Sequence, residues 1–187
     1  MADMEINPRE RETKPDINTE FFSTENVPDE KAAGEISTLF LNNYPEIYPD
    51  ELRRYDFSRN DTPKKIIEQV KNGNFFITAL VGKKMAGMIK FRQESRTEKP
   101  DCEEWLGSWV MVDKTYRKYG VAEKLFESMM ETLRRIKTIS GKRMDFVADV
   151  HKDNVASISL CKKMGCVAEA GKSEEYLLLR KEVAEYR

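Results

Sequence analysis

The chain has 187 residues, 40% of them hydrophobic and 35% charged, which is enough apolar material for one domain with a real core beneath a densely charged surface. Acids and bases nearly cancel, to a formal charge of -1. Strong electrostatic attraction to nucleic acid or to an anionic membrane is therefore not implied, and neither is expected as a partner.

Residues 1–16 are rich in charge and proline and have no apolar run of the kind a leader peptide carries. They are expected to be disordered, with a single domain over 17–187. Asn18 to Ser23 reads as a short strand. Pro28, Asp29 and Glu30 open a helix with Ile36, Leu39 and Phe40 on one face. Residues 44–60 hold two prolines and the aromatics Tyr44, Tyr48, Tyr55 and Phe57 without a clean period, and are expected to be irregular. Thr62-Pro63 starts the next helix, a capping hydroxyl before a first-turn proline. Its apolar face is Ile66, Ile67 and Val70, and Asn72-Gly73 ends it.

Three strands follow, Phe75 to Val81, Met85 to Gln93 and Trp105 to Val112. The third is apolar on both parities, with Trp105, Trp109 and Met111 on one and Leu106, Val110 and Val112 on the other. Such a strand is central and covered on both faces, and it is too short to cross a bilayer. A long helix is expected from Val121 to Lys137, with Leu125, Phe126, Met129, Met130, Leu133 and Ile136 as a core stripe. Arg134, Arg135 and Lys137 are expected in its last turn. Met144 to Val150 is a strand, Asp153 or Asn154 caps a helix to about Met164, and two short strands, Cys166 to Ala170 and Glu174 to Arg180, complete a mixed α/β sheet.

The informative segment joins the covered strand to the long helix. The first N–H groups of a helix have no internal partner and sit at its positive end. A turn there binds phosphate if the backbone is bare enough to approach. Gly120 removes a side chain at that point, Ala122 keeps the next turn small, and Arg117 and Lys118 add positive charge. Taken alone, the pattern fits an ordinary tight turn as well as an anion site.

In context, Arg117-Lys118-Tyr119-Gly120-Val121-Ala122 resembles the Gln/Arg-x-x-Gly-x-Gly/Ala signature of the GNAT superfamily of N-acetyltransferases. Downstream, Asn154 through Gly165 is similar to the family's second signature, with an Asn cap and a closing Lys-x-Gly. The resemblance implies a mixed, mostly antiparallel central sheet with a splayed parallel strand pair and helices on both faces. It implies acetyl-CoA as acyl donor and direct attack by a primary amine on the thioester. It also places the cofactor. The backbone of the Val110-Met111-Val112 segment would hold the pantetheine arm, amides from Arg117 through Ala122, Tyr119 and Val121 included, the pyrophosphate, and Asn154 the arm from the other side. A homodimer is compatible with it.

Two departures concern catalysis. The family's usual Tyr donor to the leaving sulfur is replaced by Cys161, and a thiol donates hydrogen bonds poorly. A small buried core residue is the other reading of that position. For the base, Glu104 at the start of the covered strand shares parity with Ser108 and Val110 and is expected to face the cleft, unless it is a solvated strand-end carboxylate. Asp149 reads as a surface or pairing group, His151, the only histidine, as a loop residue, and Tyr176 as a half-buried strand residue or, alternatively, as part of the acceptor site's lining. By the resemblance, the aromatics from Tyr44 to Phe57 stand where the family builds its acceptor wall, and a packing role is the other reading of those rings. The acceptor is expected to be a small-molecule or peptide amine. Cys102, Cys161 and Cys166 are an odd set without CxxC spacing, so no disulfide framework and no metal site is expected, and a reducing cytoplasm is. An acyl-CoA-binding sensor without turnover is the alternative function. A nucleotide-binding domain would need an early glycine-rich loop, and no such loop precedes Phe75.

Overall fold

The computed structural model describes residues 15–47, 62–94, 101–170 and 173–185, and for 44–47 and Ala170 the backbone alone. Tyr48, Tyr55 and Phe57 lie outside the described residues, as does most of the segment 1–16. The elements in chain order are β1 (Ile17–Phe22), α1 (Glu30–Ile47), α2 (Pro63–Lys71), β2 (Asn74–Val81), β3 (Lys84–Gln93), β4 (Cys102–Val112), a 3-10 turn (Lys114–Tyr116), α3 (Val121–Ser140), β5 (Arg143–His151), α4 (Val155–Lys163), β6 (Val167–Ala170) and β7 (Tyr176–Glu182). The strands form one sheet in the order β1-β2-β3-β4-β5-β7-β6. Only β4 and β5 run parallel, and every other neighbouring pair is antiparallel.

The sheet is covered on both faces, as its apolar patterning requires. On one face α3 buries Val121, Leu125, Phe126, Met129 and Leu133 against Ile89, Phe91, Trp105, Phe146 and Ala148. On the other, Ile36, Leu39 and Phe40 of α1 and Ile66 and Val70 of α2 pack on Phe76, Met88 and Met111. The caps are those the sequence predicts. Asp29 Oδ1 accepts from the Ala32 amide at 2.7 Å, and Thr62 Oγ1 accepts from Lys65 at 3.4 Å.

Several expected boundaries shift. α1 continues through residues 44–47, into the stretch expected to be irregular. Pro45 lies so close to the helix end that it forfeits one backbone bond while the apolar face upstream is already buried. α3 runs one turn beyond Lys137, to a left-handed Gly141 whose amide bonds the Lys137 carbonyl at 2.8 Å. Arg134 and Arg135 therefore stand before the last turn and pair with Glu131. Lys137 instead donates to the Val183 carbonyl at 2.8 Å and ties down the chain after β7. β4 begins three residues early, at the buried Cys102. His151 closes β5 as a strand residue opposite Tyr176.

The correction that matters most for function is a β-bulge in β4. Lys90 of β3 pairs with Trp109 and Phe91 with Gly107, so Ser108 is the extra residue. A bulge reverses the inward–outward alternation. Trp105 therefore joins the core beneath α3, whereas Trp109 and Met111 join the one beneath α1, and these three do not share a face.

Candidate active site

The bonds between β4 and β5 run from Cys102↔Arg143 to Leu106↔Val147 and stop there. Beyond that point β4 pairs only with β3, as far as Val112↔Gly87, and β5 only with β7, as far as His151↔Tyr176. The parallel pair thus splays toward its carboxyl end, which is where open α/β sheets build their ligand crevices. Gly107 marks the start of the opening. A Cβ there would stand 2.6 Å from the Phe146 ring, so glycine alone lets that ring close the paired end of the wedge.

The loop that follows is folded by its own side chains. The Asp113 amide bonds Ala86 O at 2.9 Å, and the Asp113 carboxylate accepts from Thr115 N at 2.9 Å. Arg117 turns back, with Nε donating to Val112 O at 3.3 Å and Nη2 to Asn43 Oδ1 of α1 at 3.1 Å. Lys118 adopts a left-handed φ of 71° and Gly120 one of 87°. For a lysine that conformation costs about 1–2 kcal/mol. Gly120 heads α3 without a side-chain cap, and the first helical bond is Lys124 N to Gly120 O. The amides of Val121, Ala122 and Glu123 are therefore the orphan donors of a 20-residue helix.

A cleft of about 610 Å³ lies in front of them. Val110 and Val112 of β4 and Arg117, Lys118, Gly120, Val121 and Ala122 of the loop and α3 line one side. Asn154, Ser157 and Leu160 of α4 line the other. Asn154 caps α4, its Oδ1 accepting from Ser157 N at 3.1 Å. Of the two acids at this mouth, Glu123 and Asp153, Glu123 forms an ion pair with Lys163 of α4. A second, smaller cavity of about 50 Å³ occupies the splay itself. It shares Val110, Asn154, Ser157 and Leu160 with the cleft.

The sequence matches the acetyltransferase (GNAT) family over residues 35–166. The chain belongs to that family. No curated protein matches the chain, but many solved structures do. The PaiA N-acetyltransferase from Thermoplasma acidophilum, in complex with coenzyme A, is 15% identical with a TM-score of 0.63, over 89% of this chain and 99% of that one. YncA from Salmonella typhimurium, with its cofactor acetyl-CoA, is 15% identical with a TM-score of 0.64, over 91% and 95%. An aminoglycoside 6'-acetyltransferase type Ii is 12% identical with a TM-score of 0.62, over 91% and 99%. At these identities the likenesses show the fold.

Within this GNAT chain the structure brings together most of the cofactor residues read from sequence and leaves two apart. Met111 is buried beneath α1 on the opposite face of β4, and Tyr119 does not line the cleft. Glu104 also departs from expectation, because the bulge sets it on the other parity from Val110. It lines neither cavity. It sits where β4 and β5 still pair, beside Asp145, and its carboxylate receives Arg180 Nη1 at 2.7 Å. The same guanidinium binds Asp145 at 2.9 Å and Glu169 at 3.1 Å. Cys161 lines the splay cavity and is buried. The hydrogen bond between the two thiols lowers the pKa of Cys161 and, together with burial, pushes that of Cys166 up.

Asn43, Ser157 and Leu160 were not read from the sequence. Asn154, Ser157 and Leu160 recur every three residues along one helix, and that spacing marks a shared face. Asn43 carries no local signal. It meets the loop only through the tertiary fold.

Proposed function

We propose that the protein transfers an acetyl group from acetyl-CoA to a primary amine of a small molecule or peptide. The observation that carries this reading is the continuity of the cleft before α3 with the gap between β4 and β5. The uncapped amides of Val121, Ala122 and Glu123, with the Lys118 charge beside them, suit a pyrophosphate. The edge of β4 at Val110, beyond the last bond to β5, and the Asn154 side chain across the cleft suit an extended arm that hydrogen-bonds as a strand does. Bound there, acetyl-CoA supplies an activated acyl carbon and a good leaving thiolate. The chain's residues orient the arm, exclude water from the gap through Trp109, Phe146 and Leu160, and handle the amine's proton. The three cysteines are free, which suits a reducing compartment such as the cytoplasm, and 17–187 is read as one domain.

A panel of a diamine, an arylalkylamine, an aminoglycoside and a short peptide, with acetyl-CoA, tests the reading by release of free thiol. Acetyl-CoA binding measured by calorimetry accompanies it. Binding with amine-dependent thiol release is expected. Binding without release from any amine would favour a sensor, a reading that Cys161 supports by standing where the family carries Tyr. Absence of binding would overturn both.

A further inference from the structure

Gly165 follows α4 in the left-handed conformation, at a φ of 84°. Its amide bonds the Lys162 carbonyl at 3.0 Å, and the Cys166 amide bonds the Cys161 carbonyl at 2.9 Å. These two bonds make a Schellman ending, which lays the side chains at the two ends of the longer bond against each other. Here both are cysteines, and a hydrogen bond joins their thiols. With Cα–O and N–Cα spans of about 2.4 and 1.5 Å, the backbone bond keeps the two Cα atoms no more than about 6.8 Å apart, within the limit for a disulfide. Lys181 of β7 pins the turn, its Nζ donating to the Met164 carbonyl. Two small apolar residues would serve the packing equally well, but two thiols in contact can also react.

Cys161 also lines the small cavity in the splay, which shares Val110, Asn154, Ser157 and Leu160 with the cleft. A small polar molecule in the cleft therefore has a path to one sulfur of the pair, whereas Cys166 lines neither cavity. We propose that Cys161 and Cys166 are a peroxide-reactive dithiol, oxidised at Cys161 through the splay and closed to a disulfide by Cys166, and that acetyl-CoA in the cleft shields it. The shielding rests on the acetyl-CoA reading of the cleft, and the disulfide does not. Cys102 supplies the contrast. It is buried at the start of β4 and lines neither cavity, and burial, then the Asp145 charge, pushes its thiol up. The hydrogen bond with Cys166 moves the Cys161 thiol the other way, toward the thiolate that reacts. A transient disulfide of this kind is compatible with a reducing compartment.

The oxidant is hydrogen peroxide. The Cys161 thiolate attacks one peroxide oxygen, the O–O bond breaks, and hydroxide leaves and takes a proton from solvent to become water. Cys161 is then a sulfenic acid. The Cys166 sulfur attacks it, the S–S bond forms as the S–O bond breaks, and the departing hydroxide leaves as water with the Cys166 proton. Two thiols are oxidised, and one peroxide is reduced to two waters. An excess of a small thiol reverses the reaction by exchange.

The test treats the reduced full chain with hydrogen peroxide, quenches by alkylation under denaturing conditions, and reads intact mass and peptide maps. Wild type should lose two hydrogens, mapped to a Cys161–Cys166 bond that a small thiol reduces, with Cys102 still alkylated. C166A should stop at a sulfenic acid on Cys161, captured by a cyclic 1,3-dione, and C161A should leave Cys166 a thiol over the same time. Acetyl-CoA at about 100 times its Kd leaves only about 1% of sites free, so it should slow the disulfide at least about tenfold. No disulfide in wild type, or Cys102 oxidised as fast as Cys161, would overturn the dithiol. An unchanged rate with acetyl-CoA shown bound by calorimetry would overturn the shielding and the route through the splay, and would leave the cofactor reading standing. Absence of acetyl-CoA binding would overturn the cofactor reading and the shielding together, while the disulfide stands or falls on the free protein.

Discussion

Arg117 and Asn43, 74 residues apart in the chain, meet with Nη2 and Oδ1 at 3.1 Å. Asn43 is 1% exposed and anchors its own amide on Leu39 O at 2.8 Å. The arginine thereby fastens the loop before α3 to α1 on one side and to the end of β4 on the other. Much of its role is to hold the backbone that faces the cleft.

N43A should therefore weaken acetyl-CoA binding although Asn43 contributes no charge. We expect a stability loss of about 1–2 kcal/mol, that of a buried hydrogen bond left unmade. A double-mutant cycle of N43A and R117A, read by urea denaturation and by calorimetry, should show coupling of about 1 kcal/mol. Strict additivity would show that the two residues act separately.

Lys118 and Gly120 give opposite predictions in one loop. K118G removes the left-handed strain of about 1–2 kcal/mol and adds back about 0.5–1 kcal/mol of unfolded-chain entropy. A small net gain in thermal stability should accompany weaker acetyl-CoA binding, because a charge is lost. G120E should abolish acetyl-CoA binding in a chain that still folds. Its Cβ would already stand 3.2 Å from Glu123 Oε2 at a φ of 87°, and its carboxylate would repel a phosphate. Unchanged affinity in a folded G120E protein would remove the loop from the cofactor site.

Glu104 should matter for stability and not for turnover. Its side chain and that of Arg180 are 15% and 14% exposed, and Asp145 is fully buried. E104Q keeps the shape and removes one of three carboxylates around one guanidinium. We expect a loss of about 1–3 kcal/mol, below the cost of breaking a fully buried pair because two acids remain. The thiol-release rate at a temperature where both proteins are folded should be unchanged. A hundredfold slower E104Q enzyme of undiminished stability would return the catalytic role to Glu104.

The misplacement of Glu104 shows where sequence patterning stops. Helices with long apolar stripes, the Thr62 and Asn154 caps and the Gly120 turn are local, and each was readable from neighbouring residues. The cleft was readable because most of its lining is contiguous, in Val110–Ala122 and again from Asn154. A bulge inserts one residue and leaves no periodic trace, since Ser108 is simply one polar residue in an apolar strand. Every parity argument from Glu104 to Val110 crosses it. Asp149 was legible as a strand residue, but that it borders a gap depends on where the bonds between β4 and β5 end, at Leu106 and Val147.

Cys161 gives the last prediction. It lines the splay cavity, 6% exposed, beside the Cys166 thiol. A thiol donates hydrogen bonds poorly, and Cys161 is part of the buried core beneath α3. C161A should therefore leave turnover close to wild type. Its effect should appear in stability, as a loss of about 1 kcal/mol from a small cavity and a buried thiol deprived of its partner. C166A should cost stability similarly and should raise the pKa of Cys161, since the bond that favours its thiolate is gone. Alkylation rates measured across pH would show that shift. A fall in turnover of a hundredfold or more in C161A, about 3 kcal/mol of barrier, would instead make Cys161 the donor to the departing sulfur.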